Sequence, residues 1–238
     1  MNIGQRSLTP AGHDRFTALA TSRHSGDNVP MTGLADLIEA ERVEHIEFLR
    51  TLMPAEWETQ SLCSEWTVQE VAAHIAWAPA ASPIETMKFM ARSGFRVNKG
   101  NAEAARHWAR QGPEAILDQL VVTAEKGLRP MGTPEAAALA DAVVHAIDIR
   151  RPLGKSTALN PESFRLVAEF FAKARWPLTI MTNPRKDKGL RLVATDVEWS
   201  NGTGPEVHGR AEALLMLLTG RTVEAAEFTG PGAAQLGQ

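Results

Sequence analysis

The chain has 238 residues, of which 44% are hydrophobic and 22% charged, and a formal net charge of −3. That length buries an ordinary core as one large domain or two small ones, and the composition lacks the bias of disordered chains. The charge balance and the absence of a Lys/Arg stripe argue against a nucleic-acid partner; no apolar run approaches the roughly 20 residues of a membrane span, and MNIGQRSLTPAGHDRF lacks a signal-peptide core, so a cytoplasmic protein is expected.

Residues 1–32 are polar and aperiodic, with His13 and His24, and read as a loosely ordered extension; Met31 could be the functional start. Periodicity begins at Leu34. Leu34, Leu37, Ile38, His45, Phe48, Leu49 and Leu52 follow the i, i+3, i+4, i+7 rule of an amphipathic helix that ends before Pro54. His45 lies on its apolar stripe, either as a core histidine satisfied by one hydrogen bond or as a residue near a site. Cys63 is the only cysteine, so an intrachain disulfide or a cysteine zinc knuckle is impossible. Leu-Cys-Ser-Glu-Trp shows no base and no electropositive setting for a catalytic thiol, so Cys63 reads as a small, partly buried residue before a helix.

That next helix has a strong start. Thr67 and Glu70 form a capping box, with Trp66 and Val71 at the staple positions. Val68, Val71, Ala72 and Ile75 form its stripe, with His74 at the edge, facing a crevice between helices. Pro79 or Pro83 breaks this helix, 84–92 resumes helical pattern, and 93–101 reads as a loop, with His107 solvent-facing nearby. A third helix runs from about Pro113 toward Leu128, and Thr133-Pro134-Glu135 opens a fourth that stops at Pro152 and Gly154. Four helices with modest connections argue for a bundle.

After about residue 156 the composition changes. A helix is expected over 161–176, then a Pro/Lys/Asn-rich turn. Gly189–Thr195 and Val197–Ser200 alternate as strands, with Asn201-Gly202 as a turn signal, and 211–218 reads as a helix. The expected fold is mainly α with a smaller α+β part: an extension (1–32), a helical bundle (33–155) and a small C-terminal domain (156–238). His208 has no evident partner.

Asp141 and His145 stand four residues apart on the fourth helix, so both side chains reach one point in space. Imidazole nitrogen and carboxylate oxygen suit a divalent metal, and His74 offers a second imidazole from another helix. Asp148, one turn beyond His145, either accepts the second ring N–H of a ligand histidine or pairs at the surface with Arg150 or Arg151.

Three strings stand together: Cys63-Ser-Glu-Trp-Thr-Val-Gln-Glu-Val-Ala-Ala-His74, Asp141-Ala-Val-Val-His145-Ala-Ile-Asp-Ile-Arg-Arg-Pro-Leu-Gly154 and Leu217-Leu-Thr-Gly-Arg221. In that order and spacing they resemble the mycothiol-dependent maleylpyruvate isomerase family of the DinB-like metalloenzyme group, over 34–230. The resemblance implies a DinB-like four-helix bundle followed by a small α/β domain. It implies a divalent metal, most simply zinc, on His74, Asp141 and His145, and mycothiol or a similar low-molecular-weight thiol as cofactor. The family's isomerase has Glu where this chain has the shorter Asp141. It also implies an active-site role for Arg221, whose bland alternative is to interact with the last carbonyls of its helix. The implied activity is an isomerase or thiol transferase acting on a small carboxylate-bearing electrophile. A non-catalytic metal- or ligand-binding protein using the same pocket is the alternative.

Overall fold

The computed structural model describes residues 33–130, 132–173 and 189–236. The extension, the end of the helix expected to reach Trp176 and the turn after it lie outside the described residues. No described helix is long and apolar enough to cross a membrane.

Helix α1 (Leu34–Arg50) buries Leu37, Ile38, Val43, His45, Ile46 and Leu49, the stripe its periodicity dictates. A short α2 (Pro54–Trp57) leads to α3 (Val68–Trp77). The α3 capping box forms as expected: Thr67 Oγ1 accepts the Glu70 N–H at 3.3 Å, and Glu70 Oε2 accepts the Thr67 N–H at 2.9 Å. Helix α4 (Pro83–Arg92) starts on Ser82 and ends in the left-handed Gly94. Helices α6 (Gly112–Glu125) and α7 (Glu135–Arg150) complete a four-helix bundle in which α1, α3, α6 and α7 pack on one another. Arg42 closes one end of α6, donating to Thr123 O at 3.2 Å and Leu128 O at 2.7 Å.

The expected loop over 93–101 is a turn only as far as Arg96; from Val97 it is the start of a helix, α5 (Val97–Ala109), packed on α3. Its buried face is Ala102, Ala104, Ala105, Trp108 and Ala109. Small residues allow close helix approach but give almost no hydrophobic contrast, and the Ser-Gly-Phe run before α5 masked its start. His107 is accordingly an exposed residue of α5.

Helix α8 (Pro161–Lys173), strands β1 (Arg191–Ala194), β2 (Ser200–Gly202) and β3 (Glu206–Gly209), and α9 (Ala211–Leu218) form the smaller part. The sheet order is β2-β1-β3, with β2 antiparallel and β3 parallel to β1. The strand expected over Val197–Ser200 is displaced. Asp196 turns away to accept the Ala211 N–H at 2.7 Å, so pairing begins at Ser200 and continues through Asn201 and Gly202, the supposed turn. Gly202 has φ 91°, and a Cβ there would lie 2.2 Å from Leu190 O, so the glycine serves close strand approach.

Two apolar cores result. One fills the bundle around Ile46, Val71, Ile116 and Leu120. The other joins Leu37, Leu139, Val143 and Ile147 of α1 and α7 to Phe164, Leu192, Val207 and Leu214. Helix α7 therefore lies between cores and is buried nearly all round, which fixes the orientation of the few polar side chains it carries.

Candidate active site

Asp141, His145 and Asp148 sit at i, i+4 and i+7 of α7, along one stripe. His74 reaches the same point from α3, where its ring packs 4.9 Å from that of Trp66 and edge-on 5.3 Å from that of His145. The loop before α3 is drawn onto α7 by a hydrogen bond from Leu62 N–H to Asp148 O at 3.0 Å. That carbonyl has no helical donor because residue 152 is proline.

His74 Nε2 lies 3.7 Å and His145 Nε2 3.5 Å from the same oxygen, Asp141 Oδ1. Tetrahedral zinc with nitrogen and oxygen ligands at about 2.0–2.1 Å would separate neighbouring ligand atoms by about 3.3–3.4 Å. The two separations from Asp141 lie within a few tenths of an ångström of this, and all three ligand atoms lie within 4.8 Å of one another, so the donor set fits a metal ion. His145 Nδ1 is 2.9 Å from Asp148 Oδ2, the carboxylate–histidine pairing that leaves Nε2 for a metal. Burial disfavours the charged forms here, but the partners win. Asp141 is held down at about 2 by His74, His145 and Arg42, and His145 is raised to about 10 by Asp148, Cys63 and Asp141. His74 Nδ1 has no hydrogen-bond partner among the described residues.

Asp148 is fully buried, and its partners are His145 and Arg221 rather than its sequence neighbours. Arg150 instead bonds Glu44 and stacks over Phe48, while Arg151 bonds Glu227. Arg221 follows α9 through a Schellman turn: Gly220 has φ 73°, Arg221 N–H donates to Met216 O at 2.9 Å, and Gly220 N–H donates to Leu217 O at 3.1 Å. This turn aims the side chain at α7, where Nε and Nη2 donate to the two Asp148 oxygens at 3.1 and 2.8 Å. The planar fork is thus closed on Asp148. Arg221 nevertheless lines the cleft.

Cys63 corrects another expectation. Its Sγ donates to Asp148 Oδ2 at 3.2 Å and lies 3.9 Å from His145 Nδ1, with Arg221 adjoining. A base and a cation do surround the thiol; they come from α7 and the turn after α9, far away in sequence. Cys63, His145 and Asp148 form a second cluster within metal-binding reach, besides His74, Asp141 and His145. The guanidinium already paired with Asp148 opposes a divalent ion there.

His45 is buried, and neither of its ring nitrogens has a partner among the described residues, so the expected single hydrogen bond is not made. Burial, with the charges of Arg150 and His145, pushes its ring down to about 3. His208, left without a partner by the sequence, lies 3.0 Å from Glu206.

The four side chains His74, Asp141, His145 and Arg221 line one cleft of about 460 Å³. That size suits a small-molecule ligand. Its wall also includes Cys63, Trp66, Thr219 and two residues the sequence reading missed, Asn98 and Asn101 of α5. With 93–101 read as a loop, no periodicity marked their shared face.

Residues 38–143 match the family model described as the mycothiol maleylpyruvate isomerase N-terminal domain. Two solved structures are similar in fold: the mycothiol-dependent maleylpyruvate isomerase, with a TM-score of 0.52, and a mutant of that enzyme, with 0.53. Each is 13% identical, with 86% of this chain and 94% of that chain covered. No curated protein matches the chain in sequence.

Proposed function

We propose that this chain, whose residues 38–143 match the model of the mycothiol maleylpyruvate isomerase N-terminal domain, is a metal- and thiol-dependent enzyme, an isomerase or thiol transferase of a small carboxylate-bearing electrophile. The observation that carries the reading is the convergence of His74 Nε2 and His145 Nε2 on Asp141 Oδ1 beside a cationic arginine, in a cleft of ligand size. His74, Asp141 and His145 would hold the metal, most simply zinc. An ion held by three protein ligands would supply, when bound, the Lewis acidity to deprotonate a low-molecular-weight thiol such as mycothiol at neutral pH.

The chain's own groups prepare that chemistry. Asp148 accepts a hydrogen bond from His145 Nδ1–H, which orients the ring with Nε2 toward Asp141 and His74. The same carboxylate clamps Arg221, so a fixed positive charge stands on the wall beside His145. That charge attracts a substrate carboxylate and stabilises negative charge developing on an adjacent carbonyl. Because the clamp is preformed, Arg221 needs no reorganisation when substrate enters. Trp66 and the α3 crevice shield the imidazoles from bulk water. The division of labour follows the proposed domains, with 33–155 supplying the metal ligands and 156–238 supplying Arg221.

One observation favours the non-catalytic alternative: the Arg221 fork is already satisfied by Asp148. An assay separates the two readings. Zinc-loaded protein should convert maleylpyruvate, or couple a related unsaturated keto acid to the thiol, only when mycothiol is added. Binding of zinc and thiol without turnover of either kind would leave a binding protein.

A further inference from the structure

The central cleft does not end at the metal-ligating side chains. A second hollow of about 850 Å³ adjoins it along α5, and Glu65 and Asn98 line both. Asn98 and Asn101 are three apart on α5, so their amides share a face. Neither has a hydrogen-bond partner among the described residues, whereas polar groups on the α7 side of the cleft are tied together. The outer hollow is edged by Arg96 and Lys99, which make no ion pair among the described residues. Glu65, which also lines it, is held by Arg106 at 2.7 Å.

At the mouth stands Phe95, 66% exposed and with φ 62°. A bulky residue in left-handed backbone is strained, and an exposed phenyl ring gains nothing from water. Backbone geometry alone would favour glycine there. An aromatic face at this point, beside amides with no partner among the described residues, suits a ligand with both polar edges and an apolar face.

We propose that the α5 wall is a binding subsite for the body of an elongated ligand that bears hydroxyl or amide groups and places its reacting end at His74, Asp141 and His145. The inference rests on the thiol-dependent reading above and assigns that body to the thiol rather than to the small electrophile. Asn98 and Asn101 donate to and accept from it, Phe95 covers its apolar face, and Arg96 and Lys99 bound its far end.

The test uses the full-length, zinc-loaded protein and calorimetric titration with two probes, mycothiol and the short thiol N-acetylcysteine. Wild type should prefer mycothiol by about tenfold or more, the worth of one or two good hydrogen bonds. Asn98→Ala/Asn101→Ala, which keeps helix propensity, should bring the preference to within about threefold without changing N-acetylcysteine affinity. Phe95→Gly should raise the melting temperature yet weaken mycothiol binding, an opposition that a merely structural role does not produce. Wild-type binding of mycothiol with a preference that persists in the variants would overturn the subsite alone, as would equal affinity for the two probes. Binding of neither probe would remove the thiol-dependent reading and the subsite with it.

Discussion

Helices α5 and α7 line the same cleft and are built from opposite materials. On α7 every polar group toward the cleft is paired: Asp141 with both imidazoles, His145 with Asp148, and Asp148 with Arg221 and Cys63. On α5 the cleft-facing amides of Asn98 and Asn101 have no partner among the described residues, and the helix is held to α3 largely by alanines. The α7 network lies between two apolar cores, where an unmatched charge is costly, so its pairings are obligatory. The α5 wall is wet, and leaving its amides open costs little. The proposed chemistry thus falls on the tightly paired wall, and the proposed recognition on the wall whose amides are open to a ligand.

The largest effects should follow from breaking the α7 side. His74→Ala and His145→Ala should each lose zinc in elemental analysis, by more than the roughly 100-fold that removing a supporting group costs. Full zinc content in His74→Ala would shift the metal to the Cys63, His145 and Asp148 cluster. Asp148→Ala should come next. It strands Arg221 and frees His145 Nδ1, so chemical denaturation should show a loss of about 3–5 kcal/mol and titration a 10–100-fold weaker zinc affinity. A variant as stable as wild type would mean that the buried network is ornamental.

Arg221→Lys should keep zinc and fold but lower turnover by about 100-fold or more, because an ammonium cannot span both Asp148 oxygens. Unchanged turnover would reduce Arg221 to the terminator of α9.

His45 sharpens the comparison from within the core. Its folded value is about 3 against 6.5 for the free ring, so between these values the unfolded chain takes up a proton that the native chain refuses. Its neutral form is therefore stabilising in full above pH 6.5, and that contribution is lost progressively as pH falls toward 3. Urea titrations should show stability falling by up to about 1.4 kcal/mol per pH unit below 6.5, and His45→Leu should flatten that slope. Equal slopes would contradict burial of an uncharged ring.

Cys63→Ser should do least. A serine hydroxyl keeps the bond to Asp148, so stability should change by less than about 1 kcal/mol, and thiol-dependent turnover should persist. An inactive, folded, zinc-loaded Cys63→Ser protein would put the chain's own thiol in the reaction.

What the sequence made legible divides along the same line. The α3 capping box and the i, i+4 pair on α7 are local patterns, and both stand in the structure at the predicted positions. The α5 helix was missed because its buried face is alanine, which carries little periodic contrast, and because glycine and an exposed phenylalanine precede it. The setting of Cys63 was missed for a different reason: His145 and Asp148 are 82 and 85 residues away, and no local string reports a contact of that range. Of the two readings of Asp148, partner of His145 or surface carboxylate beside Arg150 or Arg151, the structure has the first, and its clamp on Arg221 depends on a Schellman turn after α9 that only the packed structure aims. Strand β2 slipped because Asn201-Gly202 is a turn signal by composition, whereas here Gly202 serves close strand approach.

The zinc K-edge absorption spectrum of the zinc-loaded protein, recorded before and after adding mycothiol, tests the central claim most directly. The account predicts only nitrogen and oxygen neighbours at about 2.0–2.2 Å before addition, and one sulfur at about 2.3 Å afterwards. A sulfur neighbour already present without added thiol, or none appearing with it, would contradict a His74, Asp141 and His145 centre that receives an external thiol.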